Sequence, residues 1–208
     1  MNDTKRESFK RISAYFFEVV CTLKHIQRTG WVKRGVSAQR DTQTFYDAES
    51  VGSHSWGISQ LPMLFADIIA DDVDMLKLTQ MCISHEVGES RIGDITPKCG
   101  VSPEEKAQKE YNSVLGISNE FGLPEVLALF EELEACETIE AKLANDFDKI
   151  DMLLQVLYYL TGYRLAEDQN DFFSTFDDSD LHTEIAKEFV AFLREINSEV
   201  EACIATQS

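Results

Sequence analysis

Apolar residues recur along most of the chain at the three- and four-residue spacing of amphipathic helices. The first such stretch covers residues 7–27. Further helices are predicted at residues 50–70, 74–89, 103–121, 124–134, 137–161 and 179–204. The alternation that marks a half-buried strand is missing from the sequence. The pattern therefore predicts an all-α, single-domain bundle of about six or seven helices.

Two stretches break the helical periodicity. Residues 28–48 are expected to form a loop after the first helix, and residues 93–100 a second loop. The aromatic sequence FFSTF at 172–176 lies between the last two predicted helices. Three of the four prolines fall at or near predicted helix starts, where proline is tolerated. These loops and prolines delimit the helices of the predicted bundle.

Composition indicates a globular protein that can bury a core. The chain has 208 residues, of which 44% are hydrophobic and 27% charged, and this balance argues against intrinsic disorder. No run of eighteen apolar residues is present, and the N-terminus lacks a secretory signal. The five cysteines are scattered and form no CxxC pair, which is typical of thiols in a reducing compartment. We therefore expect a cytoplasmic protein without a membrane partner.

The acidic charge is unevenly distributed. The net charge is −18, yet the first 40 residues carry +6 and the remaining residues −24. A protein this acidic is a poor partner for nucleic-acid polymers, whose binding depends on neutralised phosphates. The basic segment could serve one small anionic ligand, or it could pair with acidic neighbours in the fold. The charge pattern leaves both interpretations open.

The string HEVGE, which begins at His85, combines three side chains suited to ion or proton chemistry. His85 and Glu89 lie four positions apart on a predicted helix and share one face. A purely structural interpretation is a helix C-terminus with solvated acids. The zinc-protease motif HExxH is a second interpretation, but Glu89 stands where that motif requires a histidine. A third interpretation depends on other segments of the chain.

Four segments together resemble the HD-domain metal-dependent phosphohydrolases. They are RTGW (28–31), ESVGSHSW (49–56), SHEVGESRIGDITP (84–97) and NDFDKIDMLLQ (145–155). The resemblance is closest to the compact branch that contains the 5′-deoxyribonucleotidases. It is strongest over residues 20–160, with residues 161–208 as a C-terminal helical extension of one HD-like domain spanning residues 1–208. The order and spacing of the segments carry the resemblance, since no one of them is decisive.

The resemblance implies a specific set of site residues. Matching the family position by position assigns the metal ligands to His54, His85, Glu86 and Asp148, and the catalytic acids to Glu89 and Asp94. The family's signature aspartate is here Glu86, whose side chain is longer by one methylene. Asp146 and Asp151 are nearby acids, but the DK pair followed by an apolar stretch selects Asp148.

Substrate contacts are implied for residues of two loops. They are Arg28, Trp31, Asp94, Ile95, Thr96 and Pro97. The planar guanidinium of Arg28 suits two phosphate oxygens. Trp31 either packs against the sugar or belongs to the core. Lys33, Arg34 and Lys98 are less specific candidates for a phosphate contact.

The mixed nitrogen and oxygen ligand set suits one divalent ion per subunit, of Mn, Co, Fe, Ni, Zn or Mg. His25 and His182 are expected to be structural or surface residues, which leaves no histidines for a second ion. The expected activity is phosphate release from small nucleotides, specifically 5′-deoxyribonucleoside monophosphates. Two alternatives stay open: a deoxynucleoside triphosphate phosphohydrolase on the same scaffold, and a degenerate HD domain that binds nucleotide without turnover. Similarity to the family also implies a homodimer.

Overall fold

The computed structural model describes residues 3–33, 36, 48–69, 72–96, 99–162, 173 and 176–205. Its helices are α1 (Asp3–Tyr15), α2 (Cys21–Leu23), α3 (Thr29–Lys33), α4 (Val51–Phe65), α5 (Met75–Ser84), α6 (Glu89–Ile92), α7 (Pro103–Phe121), α8 (Pro124–Ala135), α9 (Ile139–Gly162) and α10 (Glu184–Ala205). Seven of these helices have ten or more residues, and they correspond to the seven predicted ones. Within the described ranges the β contacts reduce to one isolated bridge, between Gln27 and Ser50. The all-α prediction is confirmed.

The chain separates into two compact units. Unit 1 comprises Met1–Trp56 and Ile83–Glu132, and unit 2 comprises Gly57–Cys82 and Leu133–Ser208. Each unit has buried apolar side chains of its own. The extent of a single domain over residues 1–208 stays a prediction.

The core of unit 1 forms where α7 packs against α6 and α1. It contains Val19, Leu23, Val51, Val87, Val114, Ile117, Phe121 and Phe130. The ring of Tyr15 packs edge-on against Phe121 at a centroid distance of 5.3 Å. Local signals fix both ends of α7: the Ser102 hydroxyl accepts a hydrogen bond from the Glu105 amide, and Gly122 adopts the left-handed conformation that ends the helix.

A π-helical turn, Phe16–Val20, joins α1 to α2. Such a turn holds one residue more than an α-helical turn and displaces the side chains that follow it. Val19 within it is buried, whereas Phe16 and Phe17 are exposed. The regular helix predicted for residues 7–27 is therefore wrong in detail, since the structure has an earlier start at Asp3 and an irregular turn near its end.

Unit 2 is built on the packing of α9 against α10. The ring of Phe65 lies 5.1 Å from that of Phe147 on α9 and 5.0 Å from that of Phe189 on α10. Glu140 accepts a hydrogen bond from the Asp74 amide and lies 3.2 Å from the Lys77 ammonium, so it ties the start of α9 to the start of α5. No described helix has the length and hydropathy needed to cross a membrane.

Four predicted boundaries are wrong. The helix predicted for residues 50–70 ends at Phe65. The helix predicted for residues 74–89 ends at Ser84, and residues 85–88 form a turn before α6. The loop predicted for residues 28–48 contains α3, although residues 34–35 and 37–47 lie outside the described chain. The last helix begins at Glu184 rather than at residue 179, after a 3-10 turn at Asp178–Asp180.

Asp146 fastens α9 to the first residues of α10. Its side chain is fully buried and accepts hydrogen bonds from the backbone amides of His182 and Thr183, at 2.8 and 2.9 Å, and from the Thr183 hydroxyl at 2.6 Å. A carboxylate that satisfies three donors at a helix start is a capping group.

We predict that Asp146→Ala lowers the free energy of unfolding by about 3 kcal/mol, because it leaves buried backbone donors without an acceptor. Chemical denaturation of the variant and the wild type measures this change. Asp180→Ala is the matched control, since Asp180 is exposed and its contact with Lys149 uses the backbone carbonyl oxygen. Equal stability of the two variants would contradict the capping role of Asp146.

Candidate active site

The start of α4 is anchored to the segment that follows α2. The Val51 amide donates to the Ile26 carbonyl at 2.8 Å, and the Arg28 amide donates to the Glu49 carbonyl at 2.9 Å. A Cβ on Gly52 would lie only 3.1 Å from the Lys24 backbone nitrogen, so this close approach requires glycine. The anchored first turn of α4 carries His54, whose side chain has no solvent exposure.

The turn at residues 85–88 lies directly on α7. A Cβ on Gly88 would lie 3.1 Å from the Cγ2 of Val114. The buried Ser113 hydroxyl donates to the Gly88 carbonyl at 2.6 Å. A side chain at position 88 would crowd Val114, and the hydrogen bond from Ser113 restrains the backbone that follows His85 and Glu86.

Two imidazoles and one carboxylate converge in unit 1. The Glu86 Oε1 atom lies 3.8 Å from the Nε2 of His54 and 3.4 Å from the Nε2 of His85. The two imidazole rings are 5.3 Å apart between centroids, and one potential ligand atom from each of the three residues lies within 4.8 Å of the other two. The longer side chain at position 86 thus still brings an oxygen to both imidazoles.

This donor set fits a divalent metal ion. Imidazole nitrogen and carboxylate oxygen together suit the first-row divalent ions, and three protein donors leave positions open for other ligands. The interpretation of HEVGE as a solvated helix end does not describe this geometry.

Glu89 is nearly completely buried at the start of α6, with 4% of its surface exposed. Burial, followed by the charges of Glu86 and Asp94, raises the pKa of Glu89 from 4.5 to about 10, and the positive charges of Arg28 and Lys106 oppose this shift. A carboxyl group with this pKa carries a proton at neutral pH. The sequence predicted that His85 and Glu89 share one face of a helix. This prediction is wrong, because residues 85–88 form a turn.

Asp94 follows α6 after a glycine. The Gly93 backbone has a φ of 74°, a left-handed value that favours glycine, and its amide donates to the Glu89 carbonyl at 2.8 Å. The Asp94 Oδ2 atom accepts a hydrogen bond from the Thr29 amide at 2.5 Å, and the Asp94 carbonyl accepts one from the Thr29 hydroxyl at 2.9 Å. These two hydrogen bonds join the RTGW segment to the loop that follows α6.

Trp31 belongs to the same arrangement. Its ring is 3% exposed, and its indole N–H donates to the Glu49 Oε1 atom at 2.7 Å. This burial fits the core-packing interpretation of Trp31 and anchors α3 next to the start of α4. A contact between Trp31 and the sugar stays a prediction.

The remaining predicted residues of the second loop are described in part. Ile95 and Thr96 are half-buried, whereas Pro97 and the lesser candidate Lys98 lie outside the described residues, as does Arg34. Lys33 donates to the exposed Cys99 thiol at 3.2 Å. His25 and His182, expected to be structural or surface residues, have exposed side chains.

Asp148 lies on α9 in unit 2, where Cys82 is its neighbour. Burial and the charge of Asp148 raise the pKa of the Cys82 thiol to about 12, which makes this thiol chemically inert. Asp146, one of the competing acids in the same segment, is the cap of α10. The part of Asp148 in a metal site stays a prediction from the resemblance.

Sequence reasoning missed three residues of this region: Thr29, Glu49 and Lys106. Thr29 and Glu49 form the hydrogen bonds described above, and both lie inside the segments quoted for the resemblance. Lys106, on α7, contributes a positive charge that acts on Glu89. Its sequence context, in a helix rich in charged residues, gives no signal.

Comparison with known proteins gives consistent matches. The HD domain family model matches residues 20–188. The 5′-deoxynucleotidase HDDC2 of Dictyostelium discoideum is 37% identical over 153 residues, which are 69% of this chain and 75% of that protein. The 5′-deoxynucleotidase hdd1 of Schizosaccharomyces pombe is 29% identical over 165 residues, 76% of this chain and 77% of that protein.

A solved structure supports the same grouping. A conserved hypothetical protein from Pyrococcus furiosus superposes with a TM-score of 0.70 and 26% sequence identity, covering 86% of this chain and 98% of that one. The matched residues include the segments that carry His54, His85 and Glu86. The chain belongs to the HD-domain phosphohydrolase family, on the branch that contains the curated 5′-deoxynucleotidases.

Proposed function

We propose that the protein is a divalent-metal-dependent 5′-deoxyribonucleotidase, which hydrolyses the phosphate ester of 5′-deoxyribonucleoside monophosphates. The observation that carries the proposal is the convergence of His54, His85 and Glu86 beside the buried carboxyl group of Glu89, whose pKa is raised by burial. Relatives named 5′-deoxynucleotidase support the substrate class.

His54, His85 and Glu86 would hold one divalent ion per subunit, with Asp148 as a fourth ligand. The match of DKIDMLLQ to the family's segment supports Asp148, and the mixed nitrogen and oxygen donor set suits Mn, Co, Fe, Ni, Zn or Mg. Such an ion, when bound, polarises the phosphoryl group and lowers the pKa of a water molecule, so that hydroxide is available near neutral pH.

Glu89 is suited to act as the general acid. Hydrolysis breaks the bond between phosphorus and the 5′-oxygen while a water oxygen attaches to phosphorus, and the departing oxygen needs a proton. Burial raises the pKa of the Glu89 carboxyl group, which favours the protonated form that a general acid needs. Asp94 would accept a hydrogen bond from the sugar or from the attacking water.

The positive charges balance an otherwise acidic site. Arg28 acts electrostatically on Glu89, and its guanidinium is the preferred group for the phosphate of the substrate. Ile95, Thr96 and Pro97 would line the nucleotide pocket, and buried Trp31 would hold the loop that carries Arg28.

Phosphate release from mono-, di- and triphosphate deoxynucleosides, assayed with each divalent metal, tests the proposal. Release from monophosphates alone is the expected result. Release mainly from triphosphates would replace the proposal with a triphosphate phosphohydrolase. Nucleotide binding without release under any condition would indicate a degenerate domain.

We also propose a homodimer in the cytoplasm. Large apolar side chains, among them Phe192, are exposed on the chain. Phe173 is buried, Phe189 packs against Phe65, and Phe172 lies outside the described residues.

A reducing compartment is supported by the free thiols of Cys21, Cys82, Cys99 and Cys136. Light scattering tests the assembly, and a monomer mass of 23.6 kDa at micromolar concentration would contradict it.

We predict that His85→Ala removes the bound metal and at least 99% of the phosphate release, because it deletes a ligand rather than an outer partner, whose loss costs about 10–100-fold. Glu86→Asp should retain the metal, since the carboxylate remains. Glu86→Gln should bind it more weakly, since the charge is lost. Elemental analysis of the purified variants measures the metal content.

His182→Ala serves as the control for these variants, because its side chain is exposed and only its backbone amide contacts Asp146. It should keep both metal and activity. Equal metal content in wild type and Glu86→Gln would remove Glu86 from the ligand set.

We predict that Glu89→Gln lowers kcat by at least about 100-fold, because the variant has no proton to transfer. We also predict that the variant becomes more stable than the wild type as the pH rises. The pKa of Glu89 is raised from 4.5 to about 10, so above pH 4.5 the folded wild type holds a proton that the unfolded chain releases. Wild-type stability therefore falls through that pH window, by up to about 1.4 kcal/mol per pH unit.

Thermal unfolding of the metal-free proteins between pH 5 and pH 9 measures this difference. Glu131→Gln, an exposed position on α8, is the control that should follow the wild-type curve. Parallel curves for the wild type and Glu89→Gln would contradict the buried neutral state of Glu89.

A further inference from the structure

Thr29 holds Asp94 at two points, although the residues are 65 positions apart. The Thr29 amide donates to the Asp94 carboxylate at 2.5 Å, and the Thr29 hydroxyl donates to the Asp94 backbone carbonyl at 2.9 Å. One bond restrains the side chain and the other restrains the peptide group that follows it. Two bonds from one residue define an orientation, which a single bond does not.

The hydrogen bond from the Thr29 amide uses only one of the two oxygen atoms of the Asp94 carboxylate. Within the described part of the chain, the Thr29 amide is the hydrogen-bond donor to the Asp94 side chain, and it bonds Oδ2. Oδ1 remains to accept a hydrogen bond from a ligand or a water molecule. Asp94 is also close enough to Glu89 for its charge to raise the pKa of that carboxyl group.

The backbone before Asp94 makes an external restraint necessary. Gly93 has a φ of 74°, and no atom of the described residues beyond its two chain neighbours lies within 4 Å of the position where a Cβ would be, so packing against Gly93 does not restrain the loop. The helix α6 has already ended, with the Gly93 amide bonded to the Glu89 carbonyl. The Thr29 hydroxyl supplies the restraint from the other side of the loop.

The same segment contains Arg28 and Trp31. The Arg28 amide bonds the Glu49 carbonyl, and the Trp31 indole bonds the Glu49 carboxylate. Thr29 therefore projects from a segment that is fixed on both sides. A donor on a backbone that is itself held by other hydrogen bonds can orient the loop that contains Asp94.

We infer that Thr29 is a positioning residue for Asp94: its amide occupies one carboxylate oxygen and its hydroxyl fixes the loop, so that the second oxygen meets the substrate or the attacking water in one orientation. This inference rests on the proposed function, because it assigns to Thr29 an effect that is expressed through Asp94. Within the RTGW segment, Thr29 thereby has a role of its own, which differs from the roles of Arg28 and Trp31.

A double-mutant cycle with Thr29→Val and Asp94→Ala tests the inference, with dAMP as the substrate and the metal-loaded protein. Valine keeps the size and the branched Cβ of threonine but removes the hydroxyl donor. We expect Thr29→Val to lower kcat/KM about tenfold in the wild type, because small misplacements of a reacting group are costly. In the Asp94→Ala background it should change kcat/KM less than twofold.

Two further readouts separate positioning from a structural effect. Thr29→Val should change the same parameter, kcat or KM, that Asp94→Ala changes. Thr29→Ser, which retains the hydroxyl, should recover most of the activity. Thr22→Val, at a half-buried position that precedes the segment, is the control and should retain wild-type kinetics. Thr29→Ala repeats the measurement if Thr29→Val does not fold.

Equal losses in both backgrounds, or a Thr29→Ser variant as impaired as Thr29→Val, would overturn the inference while leaving the proposed function intact. A wild-type protein that binds dAMP but releases no phosphate with any divalent metal would overturn the proposed function, and the inference with it. The wild-type assay thus distinguishes the two failures.

Discussion

The close approach of the turn at residues 85–88 to helix α7 is the constraint on which the candidate active site depends. A Cβ on Gly88 would lie only 3.1 Å from the Val114 Cγ2 atom, and the Ser113 hydroxyl donates a hydrogen bond to the Gly88 carbonyl. This contact restrains the backbone at residue 88. It therefore restrains the positions of His85 and Glu86, which come just before it, and of Glu89, which comes just after it. The same contact with α7 therefore positions His85 and Glu86, which are two of the three converging donors, and the buried acid Glu89.

Helix positions were predictable from the sequence because their signals are local. Ser102 and Gly122 bound α7 within the chain itself, and Pro124 begins α8. The turn at 85–88 was not predictable in this way. Residues 85–88 fall inside the helix predicted from the sequence for residues 74–89, and only the contact with α7 shows that the chain leaves the helix there.

The order of the family's segments pointed to His54, His85 and Glu86, which lie together in the structure. The proton on Glu89 could not be read from the sequence, because it follows from burial and from the neighbouring carboxylates. The acids of the NDFDKID segment show the same limit. Asp146 looks equivalent to Asp148 in the sequence, and only the hydrogen bonds to the start of α10 reveal that it is a cap.

The π-helical turn at Phe16–Val20 has a consequence for how relatives of this chain can be aligned and altered. Because the turn holds one extra residue, positions before and after it do not follow a common helical repeat. Removing one residue there would let the helix close regularly and would rotate the preceding part by about 100°. Tyr15 would then lose its contact with Phe121, so length changes at this turn alter the packing of the whole N-terminal helix.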